Sequence, residues 1–546
     1  MSSPTKIAVL AAGVALLLVS ACGGSSEDRA TLSPSTSRPP TGAGNASSAA
    51  SPSDLRVIDL AAQPPLLSIF GADAEDLRSD IPGIISGDFN DDGMDDILIG
   101  ARFADGPDES RADAGEAYLV FGSKQLPATV DLAEGEQDLT IYGARPSDGL
   151  GFSAEAADIN GDGVADLLIG APFAGEANTP AGNAGAVYVL FGGQDLDGDL
   201  DLASQKPDLT LRGVNSSAFF GDSLAIGDVN GDGLSDILVG ATFDRSPPQD
   251  GVQGAQGGAA YLFYGRRQWP ESVRAVRGEY DVALFGAEDL DELGDTVVSG
   301  DINGDGFDDI IADAEAADGP GNARPVGAEV HVLFGHADLS GEFYVSKDDQ
   351  DLSILGAETN DTLGFALAAG DLNGDGRDDL AMTARLADGP SNRLDSAGDA
   401  YVLLGADDLP EEIDLATALD KVLAMHAPTG GDLMGAVIFG PLTGSDRSDL
   451  ILGASFGDGP SDSRQDAGEI YLLDVQKIQG FPSVELVPGS VRIYGSQKEG
   501  RIGSSLAAGD VNGDGRLELI AVAADADGPG DSQADVGIIY VLSAGG

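Results

Sequence analysis

GDVNGDGLSDILVGA, residues 227–241, gathers three aspartates and an asparagine around two glycines and follows them at once with an apolar run. The same pattern returns as GDFNDDGMDDILIGA (87–101), ADINGDGVADLLIGA (157–171), GDINGDGFDDIIADA (300–314), GDLNGDGRDDLAMTA (370–384) and GDVNGDGRLELIAVA (509–523). A worn copy, GPLTGSDRSDLILGA, stands at 440–454. The leading positions are 88, 158, 228, 301, 371, 441 and 510, so successive copies lie 70, 70, 73, 70, 70 and 69 residues apart. A period this constant describes one body of seven units rather than several unrelated domains.

Positions 1, 3, 5 and 9 of each good copy carry oxygen side chains, here Asp228, Asn230, Asp232 and Asp236. Gly231 and Gly233 let the backbone turn tightly enough for those oxygens to converge. Converging carboxylates, an amide and a backbone carbonyl suit a hard cation such as calcium, and no His or Cys takes part to favour zinc or copper. Without a cation, three carboxylates a few ångströms apart repel one another. An EF-hand is excluded because position 12 is Val239, Ile99 or Ile169 instead of a bidentate Glu, and the following run has strand character. A solvated hairpin loop explains one such turn. Six copies at matched positions require more.

Each unit holds four strand candidates. In the second they are 151–158, 166–172, 186–192 and 208–213. Four short strands in each of seven units predict an all-β, seven-bladed β-propeller of four-stranded blades over residues 55–546, in which radial repetition leaves short, protected edges. The chain begins with an outer strand (LLSIFG, 66–71) and stops after a third one (GIIYVLS, 537–543), so the N-terminal strand is expected to close the last blade.

The combination of FGA or YGA, then GD-x-N-x-DG-x-x-DLLIGAP, then G-x-x-YVLFG resembles the FG-GAP repeats of the integrin α-subunit head, across essentially all of 55–546. The resemblance implies a seven-bladed propeller with calcium between strands one and two of certain blades and ligand contact on the opposite face. It implies the ligand sets Asp88, Asn90, Asp92, Asp96; Asp158, Asn160, Asp162, Asp166; and Asp228, Asn230, Asp232, Asp236. Those of the later units are Asp301, Asn303, Asp305, Asp309; Asp371, Asn373, Asp375, Asp379; and Asp510, Asn512, Asp514, Glu518. The sixth unit has Pro441, Thr443 and Ser445 in place of ligands and keeps only Asp449, so about six Ca2+ sites are expected and none in that blade. Asp91 replaces the usual Gly in the first unit and tolerates left-handed backbone. Six good loops, without integrin legs or a membrane span, look like the bacterial relatives of that family.

MSSPTKIAVLAAGVALLLVSAC reads as a signal peptide over 1–21, with an apolar run too short to span a bilayer comfortably. It is similar to a bacterial lipoprotein signal, which would leave Cys22, the one cysteine of 546 residues, lipidated at the new N-terminus. Residues 22–54 then form a Ser/Pro/Gly-rich flexible tether. The expected address is extracytoplasmic, on a cell or outer membrane held through the lipid anchor only.

The chain has 92 acids against 29 bases, a net charge of −63. Six loops of three acids each hold eighteen, and six divalent ions return twelve charges, so metal binding does not explain the acidity. Solubility or a high-salt habitat does, and so strong a negative field repels nucleic acid. Only His331, His336 and His426 occur, and no nucleophile elbow, phosphate loop or metalloprotease motif is present. The expectation is therefore a calcium-stabilised, surface-anchored recognition module for adhesion or for an extracellular or envelope protein or glycan, with no catalytic residues. The alternative is a calcium-dependent polysaccharide-processing lyase or hydrolase.

Recognition would fall on the face opposite the acid loops. Three connections there share a DGP…DAG pattern (104–116, 387–399, 457–469) in which Arg111, Arg393 and Arg464 are expected to pair with acids. The third unit departs from it at 241–258, where Phe219, Phe220 and Phe243 are candidate contacts. The segment 264–280 holds the one Trp, Trp269, with Arg266, Arg267, Arg274 and Arg277. It reads either as an outer loop capping a blade or as a docking patch for an anion.

Overall fold

The computed structural model describes residues 56–543 apart from 74–76, 78–82, 176–181, 195, 197, 214, 249–252, 277, 444–446, 479, 481 and 529–533. The signal peptide, the tether, Cys22, Arg277 and Ser445 lie outside the described residues.

Seven antiparallel sheets follow one another along the chain, as the repeat predicts. The first strand of each good unit leads into its acid loop and the second leaves it; in blade three these are Leu224–Gly227 and Asp236–Ala241. In blades two and three the second and third strands are buried from end to end, so their β-branched, small and aromatic residues read as continuous apolar runs. First strands are less covered because they line the central axis. Ile84–Gly87 of blade one touches both Ala154–Ala157 of blade two and Ile502–Gly509 of blade seven, which closes the ring.

Closure follows the expected route. Leu67–Phe70 pairs antiparallel with Ile538–Leu542, with Leu67 opposite Val541 and Phe70 opposite Ile538. Apolar clusters fill the spaces between blades: Val187 and Leu211 of blade two pack with Val239, Tyr261 and Phe285 of blade three.

The four-stranded blade is corrected in six cases. Each of those sheets carries a fifth, parallel strand at its rim, donated from the next blade round the ring: Leu200–Asp201 on blade one, Ser272–Arg274 on blade two, Gly341–Tyr344 on blade three. Glu412–Asp414, Arg56–Asp59 and Thr129–Asp131 do the same for blades four, six and seven. Strands of two to four residues leave no periodic signal in the sequence, and their service is to cover an exposed sheet edge.

Arginines on the connections between second and third strands, including Arg324 in the related segment 317–329, pin these rim strands. Arg111 reaches Asp201 at 2.8 Å, Arg324 reaches Asp414 at 2.6 Å and Arg464 reaches Asp59 at 2.9 Å. Arg393 sits one residue out of register, with Leu394 at the equivalent position. Among the described residues Arg393 makes no ion pair, and blade five is the one sheet of four strands.

Candidate metal loops

The six acid loops share one architecture. In blade three, Asp228 accepts from the Asp232 N–H through Oδ1 and from the Gly233 N–H through Oδ2, both at 2.9 Å. Asp232 Oδ1 accepts from the Leu234 N–H at 2.9 Å, and Asn230 Oδ1 accepts from the Asp232 N–H at 2.8 Å. Gly233 holds φ at 81°, which favours Gly even though a Cβ there would meet nothing within 4 Å. Asp91 adopts φ 59° in blade one, as its position required.

Position nine plays a different part. Asp96, Asp166, Asp236, Asp309 and Asp379 are each 0% exposed and Glu518 is 2% exposed. Asp236 Oδ2 accepts from the Val229 N–H at 3.0 Å and Oδ1 from the Gly265 N–H at 2.8 Å, so one carboxylate ties the loop to the end of the third strand. The same pair of bonds recurs at Asp96, Asp166 and Asp309. Burial pushes the Asp236 carboxyl up to about 7, against the pull of those N–H groups, and the nearby Asp232 and Asp228 charges add to the rise. Asp309 is pushed to about 8 and Asp379 to about 6 by the same cause.

Sequence reasoning missed the residue just before position nine. Asp308 Oδ2 accepts from the Asp228 N–H at 2.7 Å, Asp378 Oδ2 from the Asp301 N–H at 2.9 Å, and Asp95 Oδ2 from the Asp510 N–H at 2.7 Å. Each bond crosses from one blade to the loop of the preceding one. The doubled DD in those three copies was the available signal.

A hard cation fits this donor set on two observations. Asn90 Oδ1 and Glu518 Oε2, at positions three and nine of their loops, are buried with no hydrogen-bond partner. An acceptor left without a donor in the interior is costly and is relieved by a cation. Among the described residues no three His, Cys, Asp or Glu side chains are gathered into a ready-made cage, because the aspartates at positions one and five are turned onto backbone N–H groups. Position five is exposed and has room to swing inward. In blade six Thr443 gives both its N–H and its hydroxyl to Asp449, at 2.8 and 2.9 Å, which satisfies the one retained carboxylate from within the chain.

The segment around Trp269 resolves towards capping. Trp269 donates from Nε1 to the Ile159 carbonyl at 3.0 Å, and Arg267 donates to the Gly161 carbonyl at 3.0 Å, so both lie over the blade-two loop. Arg266 lies over the Trp269 ring at 4.6 Å and pairs with Asp281 at 3.0 Å. His331 is 2% exposed, between Ser353 and Glu329. On the opposite face Phe220 is a fully buried core residue, whereas Phe219 and Phe243 are half-buried and meet edge to face with centroids 5.0 Å apart.

The sequence profile of the FG-GAP repeat matches residues 150–190, 220–263, 363–403 and 502–542, within blades two, three, five and seven. Phosphatidylinositol-glycan-specific phospholipase D of Rattus norvegicus is 29% identical over 222 residues, covering 40% of this chain and 24% of that protein. The enzyme of the same name from Dictyostelium discoideum is 25% identical over 386 residues, covering 68% of this chain and 39% of its own. Integrin alpha-5 of Xenopus laevis is 27% identical over 238 residues, 42% of this chain and 19% of the integrin. The chain thus spans about a quarter to two fifths of the phospholipases it matches.

Fold and loops together define a repeat propeller built on acid-rich hairpin turns. Four FG-GAP repeats thus lie within a seven-bladed, integrin-like β-propeller. The expectation that it is not an enzyme is overturned by these matches, since several of the relatives are phospholipases. The absence of a catalytic sequence motif does not exclude catalysis.

Proposed function

We propose that this propeller is calcium-stabilised and anchored outside the cytoplasm through a lipidated Cys22, where it binds an extracellular or envelope protein or glycan. The observation that carries the calcium reading is the repeated loop itself, six times the same four oxygen positions with buried, partnerless acceptors at Asn90 and Glu518. Bound calcium would neutralise the carboxylates and hold Asp228, Asn230, Asp232 and Asp236, with their five counterparts, in one arrangement. The chain's own share is to hold position nine rigid and let positions one and five close.

Trp269 gives a single-blade reporter, since the one Trp of the chain is bonded to the blade-two loop. Calcium added to the chelated full chain is expected to change Trp269 fluorescence saturably, and Asp158→Ala with Asp162→Ala is expected to abolish that change. A response that survives the double substitution would refute the blade-two site.

A second reading follows from the phospholipase relatives: action on phosphatidylinositol-glycan-linked material at a membrane. Incubation with vesicles bearing a glycan-linked, lipid-anchored protein tests it by release of that protein into solution. A thermal-shift screen against polysaccharides, with supernatants checked for fragments, tests glycan binding and cleavage in parallel.

A further inference from the structure

At the end of the central axis opposite the acid loops, blades three and four bring together a second set of acids that no metal loop uses. Asp222 stands just before the first strand of blade three, and Thr242 just after its second strand. Asp295 lies near the start of the first strand of blade four, Leu293–Gly300, with Glu292 just before it. Asp313 and Glu315 lie at the end of the second, Asp309–Ala314, and just beyond. The Thr242 hydroxyl donates to Asp222 Oδ2 and lies 3.4 Å from Asp295 Oδ1. Asp295 and Glu315 share a hydrogen bond, and burial raises both carboxyls.

Two oxygens in this wedge have no donor. Asp222 is 8% exposed and its Oδ1 is buried without a partner. Asp313 is 0% exposed; its Oδ1 accepts from the Thr296 N–H at 2.6 Å, while its Oδ2 has no partner. The charges facing Asp313 are those of Asp295, Glu315 and Glu292, and the charge facing Asp222 is that of Asp295. Blades one, two, three and six have Gly100, Gly170, Gly240 and Gly453 where blade four has Asp313, so the repeat does not demand an acid there. Arg385 faces Glu315 from blade five and is itself stacked over Phe365 at 4.7 Å. Buried carboxylates held this close without matching donors are destabilising as anions and are relieved by a proton or by a cation.

A single metal ion is disfavoured by the clamping. Asp222 is fixed by Thr242, Asp313 by Thr296, and no three of these groups meet at one point. Unlike the exposed position-five acids of the metal loops, they have no room to swing together. Ammonium groups reach oxygens at about 2.8 Å and so suit a wider spacing than calcium at about 2.4 Å. Aromatic rings at the rim, Phe219 beside Asp222 and Phe243 beside Thr242, add faces that attract organic cations. Asp295 and Glu315 stay half-buried, within reach of a ligand coming from solvent.

We propose that this wedge binds a linear polyamine, its ammonium groups spread along the carboxylates from Asp222 to Asp313. The proposal is independent of the calcium loops, which lie at the other end of the strands. Spermidine titrated calorimetrically into the full chain, at pH 8 and constant salt and calcium, tests it. One saturable site is expected, weakened at least tenfold in Asp222→Asn/Asp313→Asn and unchanged in a control that removes two exposed charges, Glu134→Gln/Glu411→Gln. The Asn pair is expected to melt no lower than the parent, because it removes like-charge repulsion; Asp222→Asn alone is measured beside it. Heat without saturation, or equal loss in the control pair, would mean diffuse attraction to an acidic surface and would overturn the site. A fall of one bound calcium per chain in the Asn pair would overturn it in favour of a metal.

Discussion

The carboxylate at position nine is at once a structural anchor and a ligand candidate, and the two roles separate by substitution. Asp236→Ala leaves the buried Val229 and Gly265 N–H groups without an acceptor and is expected to destabilise the chain by about 1–3 kcal/mol in urea unfolding even under chelation. Asp232→Ala removes an exposed side chain whose bond to the Leu234 N–H is replaceable by water. It is expected to be nearly neutral under chelation and to lower the melting temperature only in calcium, which an unfolding series at both conditions reads. At Gly240 the demand is spatial, since a Cβ there would lie 2.1 Å from the Gly294 carbonyl of the next blade. Gly240→Ala is expected to cost about 1–3 kcal/mol through overpacking.

At the scale of elements, the rim strands depend on single ion pairs. The Arg464 guanidinium holds the Asp59 carboxyl below its usual range, chiefly by hydrogen bonding to it. A lowered folded value means the pair contributes above the ordinary aspartate range and loses its contribution as pH falls through the lowered value. The pair is partly exposed, so its worth is about 1 kcal/mol or less. Amide exchange in Arg56–Asp59 is expected to quicken in acid before the rest of the sheet does, and to be already fast at neutral pH in Arg464→Ala. Equal exchange in parent and variant would remove Arg464 from this role.

For the whole molecule, closure by Leu67–Phe70 decides whether seven blades make one cooperative unit. Ile69 is 0% exposed between Ile539 and the rim strand. Ile69→Asp buries an unpaired charge and is expected to open the ring, with a loss of several kcal/mol and a larger hydrodynamic radius by size exclusion. Calcium that binds only the folded ring raises stability by RT ln(1 + [L]/Kd) at each site. Chelation is therefore expected to lower one shared melting transition instead of releasing blades singly.

The repeat period, the four main strands of each blade, the closing N-terminal strand and the loop positions were all legible in the sequence. Each follows from a local rule: a fixed spacing, an alternation of turn and apolar run, or a glycine where φ is positive. The loss of acid side chains from the blade-six loop was also legible, through Pro441 and Thr443, though not that Thr443 would satisfy Asp449 from within. Only the tertiary structure decided what depends on neighbours distant in the chain. The rim strands are two to four residues long and exist because an edge 59 to 435 residues away needs covering. Asp95, Asp308 and Asp378 act across blade boundaries, and Asp222 meets Asp295 only because blades three and four are packed side by side around the axis. A local pattern fixes which side chains a loop carries; their protonation, partners and burial are set by what the ring places opposite them.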